Sequence, residues 1–484
     1  MGDIRVGRRR FLGLAAAAGA ATVGATLLGE PAAASGVDYA ALKRALKGPL
    51  LRPGDTGYPA AAKPFNAALG VRRPAAIAKV ANADDVRTCV KRVRGHGVPL
   101  AARGGGHSYA GYSTPNSGVV VDLSALKSIT VRSNGTAVVG AGCRLIDVYA
   151  ALAAHGRALP AGSCPTVGVA GSTLGGGIGV VARAYGLTCD HLKSATVVTA
   201  DGALHTVDGN HDADLFWALR GGGGGNGGIV TGFTFGTVPA PTVTVFSLHF
   251  AASRTSRVLR SWSAWMDAAP HQLSSLCAVT AAATPTNRVT GTWTGSPAAL
   301  AGHLSALIAA VGAAPTSRTT HTYSYLNAMK YFAGCLDQTI TACKAGGPVP
   351  FRAASRMLER TVTSSVADRV VALMSRQKGM VLLFDSLRGQ VAGIKTTDTA
   401  YAHRSAHASV QVYSGNAANG PAVLAVQEAL RSTVGTGAYV NYLNPGQGDW
   451  ASAYYGANLT RLRRVIKKYD PDRVFDFAQS VLRA

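Results

Sequence analysis

The segment from Gly162 to Gly179 constrains the fold of this chain more than any other feature. Seven of its eighteen residues are glycine, with Val, Leu and Ile between them. Because glycine has no Cβ, such a segment lets the backbone approach a flat ligand or a diphosphate closely. It is not a typical dinucleotide fingerprint, since no helical pattern follows and no acidic residue stands at the ribose position. Cys164 lies within it and, taken alone, is typical of a small buried hydrophobe.

A second glycine loop runs from Arg103 to Ser108. It follows a strand predicted at Pro99–Ala102 and places three consecutive glycines before His107. Without side chains, the backbone N–H groups of such a loop can close on a diphosphate. Taken alone, the triplet is equally typical of a tight turn, and a histidine after it is ordinarily structural.

The first 34 residues predict an export signal. Arg8-Arg9-Arg10-Phe11-Leu12 is a twin-arginine signature, and a weakly apolar stretch leads to a small-residue cleavage site at Pro31–Ala34. A membrane anchor is the alternative, but a spanning helix needs ~20 strongly apolar residues and this stretch is mostly Ala and Gly. We expect a secreted protein that the twin-arginine machinery exports folded, with no stable membrane anchor.

The strong positive charge does not by itself predict a nucleic-acid partner. The chain of 484 residues carries a net charge of +24, and the signal contributes four arginines and two acids to it. The basic residues are scattered, apart from short groups such as Arg461–Arg464, and no nucleic-acid-binding motif accompanies them. A basic, solvated surface is the favoured interpretation.

The seven cysteines indicate neither a zinc site nor any other metal site. None forms a Cys-x-x-Cys pair, and no histidine has the spacing of a zinc ligand. Export permits disulfides, and Cys335 and Cys343 are close enough in sequence to pair across a short loop. The odd count fits the use of one cysteine for something else.

The chain divides by pattern into three parts after the signal. Residues 35–238 alternate short strands, helices and glycine-shaped loops, which predicts a compact α+β unit. Residues 239–430 follow a strand–strand–helix order, which predicts an antiparallel sheet with helices on one face. Residues 431–484 are polar and aromatic and then form a predicted helix over Leu459–Tyr469.

The two glycine loops together resemble a known family. His107 in Arg-Gly-Gly-Gly-His-Ser and Cys164 in Gly-Ser-Cys-Pro-Thr-Val-Gly resemble the flavin-bonding residues of the berberine-bridge-enzyme-like group of the vanillyl-alcohol-oxidase superfamily. Further matching segments are Arg183–Asp190, Asp214–Asn226, Tyr439–Tyr442 and the run from Trp450 to Ser480. The resemblance covers residues 55–240 and 395–484 well and the middle loosely.

The resemblance implies an α+β fold and a covalent FAD. The fold would be a two-subdomain PCMH-type FAD-binding domain plus an antiparallel-sheet substrate domain covered by helices, with residues 431–484 returning to the FAD-binding domain. The flavin would be bonded at its C8α methyl by His107 and at C6 by Cys164, while the cofactor does the redox work. Further cofactor-binding residues implied by the resemblance are Arg103, Gly104, Gly105, Gly106, Ser108, Gly162, Val167, Val169, Gly171, Leu174, Gly175, Ile229 and Asn441.

The resemblance also implies a catalytic tyrosine. Tyr442 is the first candidate for the base that removes a hydroxyl proton as hydride moves to the flavin, and Tyr439 is the second. Both could instead be strand residues that pack on the flavin edge. A tyrosine with its ordinary pKa of ~10 needs a nearby cation or carboxylate relay. Candidates from the substrate domain are Lys395, Asp398, His403 and Arg404.

Three positions depart from the family pattern. Ile178 stands where many relatives have Tyr or Phe, Gly227 follows Asn226 where relatives often have Phe, and Leu443-Asn444 replaces the usual x-Asp. The first departure removes a familiar active-site aromatic, which puts direct transfer of a known mechanism in doubt.

The resemblance predicts an oxidase of C–OH groups in sugars or oligosaccharides, with O₂ as the acceptor and H₂O₂ as a product. Val167 supports this, because valine there is associated with oxidases and leucine with dehydrogenases. The alternatives are a tailoring oxidase of glycosylated or polycyclic metabolites, a dehydrogenase with another acceptor, and a non-catalytic flavoprotein or basic binding protein. The substrate domain, where the resemblance is loosest, leaves the substrate unnamed.

Overall fold

The computed structural model describes residues 36–484. The predicted signal, residues 1–34, lies outside these residues. Within the described part, no helix is both long and apolar enough to cross a bilayer.

The first sheet explains how the loop before His107 is held. Strands Ala76–Lys79, Val119–Asp122 and Leu100–Arg103 run parallel, and Leu50–Leu51 adds an antiparallel edge. Helix Ala83–Val93 buries its apolar face in the same core. The Asn82 side chain caps this helix by accepting a hydrogen bond from the Asp85 N–H, and acids occupy its first turn, as the helix dipole favours. The glycine loop begins where the strand Leu100–Arg103 ends.

The second sheet carries the rest of the first unit. Its five antiparallel strands lie in the order Ile129–Val131, Thr136–Gly140, Ile229–Gly236, Leu192–Val198 and Leu204–Asp208. The C-terminal helix Leu459–Tyr469 places Leu462, Val465 and Ile466 in the core shared by both sheets. The end of the chain thus packs on the part that contains His107 and Cys164.

The third sheet is antiparallel and has seven strands. Their order is Ser317–Ser324, Thr242–His249, Thr286–Trp293, Leu273–Thr280, Val381–Ser386, Ala408–Ser414 and Arg352–Leu358. A strand alternates its side chains between two faces, and here Leu382, Phe384, Val410 and Val412 pack in one hydrophobic core. Helices Thr255–Ala268, Pro297–Val311, Ser364–Ser375 and Gly420–Arg431 contribute to that core. The predicted α+β class, with an antiparallel sheet covered by helices, is confirmed.

The remaining helices and strands are short. The helices are Tyr39–Ala45, Tyr58–Ala61, Leu145–Ala153, Val169–Leu174, Ala182–Tyr185, Ala213–Ala218, Tyr325–Ala333, Ile340–Lys344 and Trp450–Tyr455, and a small ribbon pairs Arg157–Ala158 with Val238–Pro239. Cys335 and Cys343 form the disulfide that their spacing permits.

Several elements were missed or misjudged from the sequence. Ser317–Ser324 is an edge strand with mostly exposed side chains and so lacks an apolar pattern. Arg352–Leu358 was not predicted as a strand because the charged Arg356 interrupts its apolar pattern. Arg356 is nevertheless fully buried and forms an ion pair with Asp449. Within the glycine segment itself, Val169–Leu174 form a short helix around Gly171 that the sequence did not predict. Tertiary packing there overrides the low helix propensity of glycine.

Candidate active site

A cavity of about 1490 Å³ lies between the three sheets and is lined by residues from each of them. Both glycine loops form one wall, the free face of the seven-stranded sheet forms another, and the C-terminal run from Asp472 to Ala478 closes a third side. A space of this size is larger than an ordinary drug-sized pocket. It can hold a long ligand together with a second molecule.

His107 lies at the cavity wall with its ring fixed on two sides. Phe65 stacks on it with ring centroids 3.6 Å apart and an angle of 19° between the planes. Its Nε2 lies 3.0 Å from the hydroxyl of Thr166. Burial, reinforced by the positive charge of Arg144, lowers the pKa of His107 to about 3. The imidazole is therefore neutral near pH 7 and keeps a lone pair for bonding.

Cys164 is set apart from the other free cysteines of the described chain. The thiols of Cys89, Cys143, Cys189 and Cys277 are buried, whereas Cys164 is half-buried and lines the cavity. Burial raises the pKa of the Cys89 and Cys143 thiols to about 12. Buried thiols of this kind are inert, so Cys164 is the accessible sulfur at this site.

The two glycine loops touch backbone to backbone. A Cβ on Gly105 would lie 2.2 Å from the Gly168 nitrogen, and a Cβ on Gly168 would lie 2.3 Å from the Gly105 nitrogen. Any side chain at either position would force the loops apart. This contact brings His107 and Cys164 to the same part of the cavity.

The lining fits an FAD-like ligand. The hydroxyl of Tyr112 and the Nε of Arg72 are buried at the wall without a hydrogen-bond partner among the described residues. Buried polar groups are normally satisfied, so these two atoms mark places where a ligand would bond. Gly171 faces open space, since a Cβ built on it would meet no atom of the described residues within 4 Å. A flat or extended group can enter there because no side chain fills the gap.

Most of the residues implied by the family resemblance line the cavity. They are Gly104, Gly105, Gly106, His107, Ser108, Gly162, Cys164, Val167, Gly171, Leu174, Ile229, Tyr439, Asn441 and Tyr442. Three of the implied residues lie behind the wall. Arg103 is buried and pairs with Asp122 at 2.7 Å, Val169 is fully buried in the core, and Gly175 packs against the side chain of Asn441. These three shape the wall and do not line it.

Tyr439 is placed to hold the wall together. Its side-chain oxygen accepts hydrogen bonds from the N–H groups of Gly177 and Ile178 and from the Asn441 amide, at 2.9, 3.2 and 2.9 Å. The residue is almost fully buried, and burial raises the pKa of Tyr439 to about 12. With three donors aimed at this one oxygen, Tyr439 suits positioning of the glycine segment better than proton removal.

Tyr442 differs from Tyr439 in its surroundings. It is half-buried, stacks on Tyr109 with ring centroids 5.2 Å apart, and meets the edge of Tyr439 at 5.0 Å. The stack fixes the ring plane while leaving the side chain at the cavity. Both tyrosines line the cavity, and Tyr442 is the less buried of the two.

The four candidates for a relay to the tyrosine are not in position. Arg404 is buried in a two-bond ion pair with Asp190, and His403 lies 3.2 Å from the Tyr454 carbonyl oxygen. Lys395 and Asp398 are exposed. None of the four lines the cavity. That hypothesis is wrong because lying in the predicted substrate domain does not place these four side chains on its cavity face.

The aromatic and amide side chains opposite the glycine loops were not predicted from the sequence. Tyr109 follows the His107 motif directly, packs edge-on against Phe351 at 4.8 Å, and accepts a hydrogen bond from Gln411 at 2.9 Å. Gln411 and Tyr413 alternate with the core residues Val410 and Val412, so they point to the opposite, cavity face. The two-residue period of this strand was the signal that could have identified them.

The comparisons with known proteins agree with this geometry. Residues 74–208 match the FAD binding domain family, and residues 438–482 match the family described as berberine and berberine like. The FAD-linked oxidoreductase YgaK of Bacillus subtilis is 32% identical over 453 residues, which cover 91% of this chain and 98% of YgaK. The chain belongs to the berberine-bridge-enzyme-like family of FAD-linked oxidoreductases.

Two further comparisons bear on the chemistry of this family member. The glucooligosaccharide oxidase of Sarocladium strictum is 30% identical over 84% of this chain and 87% of its own length. A solved structure of glucooligosaccharide oxidase from Acremonium strictum, with a 6-S-cysteinyl, 8α-N1-histidyl FAD, superposes with a TM-score of 0.83. It is 27% identical and covers 92% of this chain and 98% of its own. The protein is therefore an FAD-linked oxidoreductase with an FAD-binding domain.

Proposed function

We propose that this protein oxidises a C–OH group of a sugar or oligosaccharide with an FAD bonded to both His107 and Cys164, and passes the electrons to O₂ to give H₂O₂. The observation that carries the proposal is that a neutral histidine and Cys164, the one free cysteine of residues 36–484 that is not buried, line the same cavity. The doubly bonded FAD of the Acremonium relative supports the same arrangement here. A cofactor bonded twice cannot dissociate, so the site can stay open to large substrates.

The residues of the chain would divide the work as follows. His107 and Cys164 would hold the flavin, and the backbone N–H groups of the loop that contains Gly104, Gly105, Gly106 and Ser108 would bind the diphosphate. The flavin supplies the acceptor for a hydride and the route of electrons to O₂. Tyr442 would take the proton of the substrate hydroxyl, since both tyrosines line the cavity and Tyr442 is the less buried of the two. Tyr439 and Asn441 keep the Gly177–Ile178 segment in place.

The wall opposite the glycine loops suits a ring-shaped, hydroxyl-bearing substrate. Tyr109, Phe351 and Tyr413 offer flat apolar faces, and Gln411 supplies amide donors and acceptors. Sugar rings present both an apolar face and hydroxyl edges. The same wall would also accept an aromatic or polycyclic alcohol, which keeps the tailoring oxidase as the second candidate.

A substrate panel tests this proposal. Under anaerobic conditions, oligosaccharides of glucose, xylose and N-acetylglucosamine should bleach the flavin absorbance, and aromatic alcohols should bleach it far more slowly. Admission of air should restore the colour and release one H₂O₂ for each substrate oxidised. Bleaching by aromatic alcohols alone would favour the tailoring oxidase. Bleaching that air does not reverse would favour a dehydrogenase.

Val167 allows the oxygen half of the proposal to be tested separately. It lines the cavity three residues after Cys164. In a packed wall, one added methylene can close a space only as large as a small molecule. We expect Val167→Leu to slow reoxidation of the reduced flavin by O₂ and to leave substrate reduction nearly unchanged, as measured by stopped-flow absorbance. If both half-reactions slow equally, Val167 only packs on the ligand.

We further propose that the protein is secreted through the twin-arginine route. This rests on residues 1–34 alone. The paired arginines are the address that the export machinery reads, and lysine does not copy their geometry. Undiminished secretion of the Arg8→Lys, Arg9→Lys chain would contradict it.

A further inference from the structure

Thr166 lies between the two side chains that the proposed function assigns to the flavin. Its hydroxyl oxygen is 3.0 Å from His107 Nε2 and 3.8 Å from Cys164 Sγ. Thr166 is itself buried, with 6% of its surface exposed. The hydroxyl is thus directed at the attachment site and is not a solvent-facing group.

We propose that Thr166 is a positioning residue for flavin attachment, because its hydroxyl selects the orientation and tautomer of His107 that present Nδ1 to the cofactor. The inference rests on the proposed function, since it concerns how that function's cofactor becomes bonded. It adds to that function a residue that neither touches the substrate nor bonds the flavin.

The packing of His107 leaves two orientations of its imidazole ring, and Thr166 distinguishes them. The stack on Phe65 fixes the plane of the imidazole ring. A stack does not distinguish the ring from the same ring flipped by 180°, which exchanges each nitrogen with a carbon. The contact from Nε2 to the Thr166 hydroxyl separates the two orientations, because the flipped ring would present carbon there. With Nε2 at the threonine, Nδ1 is the nitrogen left for a bond to carbon.

The chemistry of a hydroxyl suits both states of the histidine. A neutral imidazole carries one proton, and a threonine hydroxyl both donates and accepts. Before attachment, Nε2–H donates to the hydroxyl and Nδ1 keeps its lone pair. After Nδ1 is bonded to carbon, Nε2 has lost its proton, and the hydroxyl donates to it instead. Thr166 therefore satisfies the ring before and after the reaction.

The attachment balances with O₂ as oxidant. Nδ1 of His107 forms a bond to the flavin methyl carbon, the imidazole loses one hydrogen from nitrogen, and the methyl group loses one from carbon. The two electrons and two protons reduce O₂ to H₂O₂. The nitrogen-bound proton is the one that leaves beside Thr166. Bonding of Cys164 to the ring loses one S–H and one C–H hydrogen in the same balance.

The experiment compares the sites of flavin attachment in the full-length wild type and in four variants. Thr166→Val and Thr166→Ala both remove the hydroxyl, Thr166→Ser keeps it, and Thr231→Val is the matched control. Thr231 is also a buried threonine of the FAD-binding part, with its hydroxyl 2.9 Å from that of Thr196. Peptide mass spectrometry measures the ratio of flavin-bonded to free peptide separately for His107 and for Cys164.

We expect the His107 ratio to fall at least about tenfold in Thr166→Val and Thr166→Ala. The Cys164 bond should persist, and Thr166→Ser and Thr231→Val should match wild type. The visible spectrum gives a second readout, since a flavin bonded through sulfur alone absorbs differently from one bonded twice.

Three results would overturn the inference. Full attachment at His107 without the hydroxyl would show that Thr166 is not needed. An equal loss in Thr231→Val would show a general effect of removing a buried hydroxyl. Loss of both bonds in Thr166→Val and Thr166→Ala would assign Thr166 to flavin binding as a whole. A wild-type protein without flavin on His107 is a different failure, because it overturns the proposed function itself.

Discussion

Tyr442→Phe lowers the rate at which substrate reduces the flavin by a factor of ~10²–10⁴, the usual contribution of a positioned general base. The substitution removes only the hydroxyl and keeps the ring that stacks on Tyr109. Flavin content, the visible spectrum and the unfolding transition should therefore stay as in wild type. Anaerobic stopped-flow absorbance with a substrate from the panel measures the rate directly.

Tyr439→Phe is the control that separates the two tyrosines. It removes the oxygen that accepts hydrogen bonds from Gly177, Ile178 and Asn441. Leaving these donors unsatisfied should cost about 1–3 kcal/mol of folding free energy. The loss should be seen in unfolding experiments and in the flavin spectrum. If Tyr439→Phe abolishes reduction while Tyr442→Phe does not, the roles assigned to the two residues are reversed.

Arg404→Leu destabilises the fold by about 3–5 kcal/mol, because it leaves the buried Asp190 carboxylate without its cation. The two side chains are 3% and 5% exposed, and two hydrogen bonds of 2.9 and 2.7 Å join them. Arg404 also donates to the Thr399 hydroxyl. Denaturant unfolding measures the loss of free energy.

Two controls show whether burial is the reason. Arg431 is about half exposed and pairs with Glu428 at 3.3 Å and with Asp449 at 3.5 Å, so Arg431→Leu should cost less than about 1 kcal/mol. Arg404→Leu combined with Asp190→Leu removes both charges and should recover much of the loss. Equal costs for Arg404→Leu and Arg431→Leu would contradict a dominant effect of the buried pair.

The sequence predicted the fold class because its signals were local. The alternation of apolar residues located most strands, and an acidic start predicts a helix over Asp84–His96, where the structure has a helix at Ala83–Val93. Two strands were not predicted, Ser317–Ser324 and Arg352–Leu358. The first is an exposed edge strand, and the second buries the charged Arg356. In both cases, the position of the strand in the folded molecule decides which residue types it carries, and the local sequence does not show that position.

At the candidate site too, residues in consecutive motifs could be predicted, whereas residues that depend on distant contacts could not. The glycine loops around His107 and Cys164 could be recognised because the ligand-binding property resides in consecutive residues. Gln411 was missed because its role depends on which face of a distant strand meets the loops. The relay candidates failed for a related reason, since Arg404 belongs to the predicted substrate domain but is buried against Asp190. Contacts between segments more than 200 residues apart, such as these, cannot be predicted from local sequence patterns.

The covalent state of the flavin tests the central claim most directly. Protein purified in its native state is precipitated with acid, and the flavin in the pellet and the supernatant is measured by absorbance. The account predicts that all flavin stays in the wild-type pellet. His107→Ala and Cys164→Ala should each retain a bonded fraction, and the double variant should release its entire flavin. Flavin released from the wild type by acid alone would contradict the assignment of His107 and Cys164.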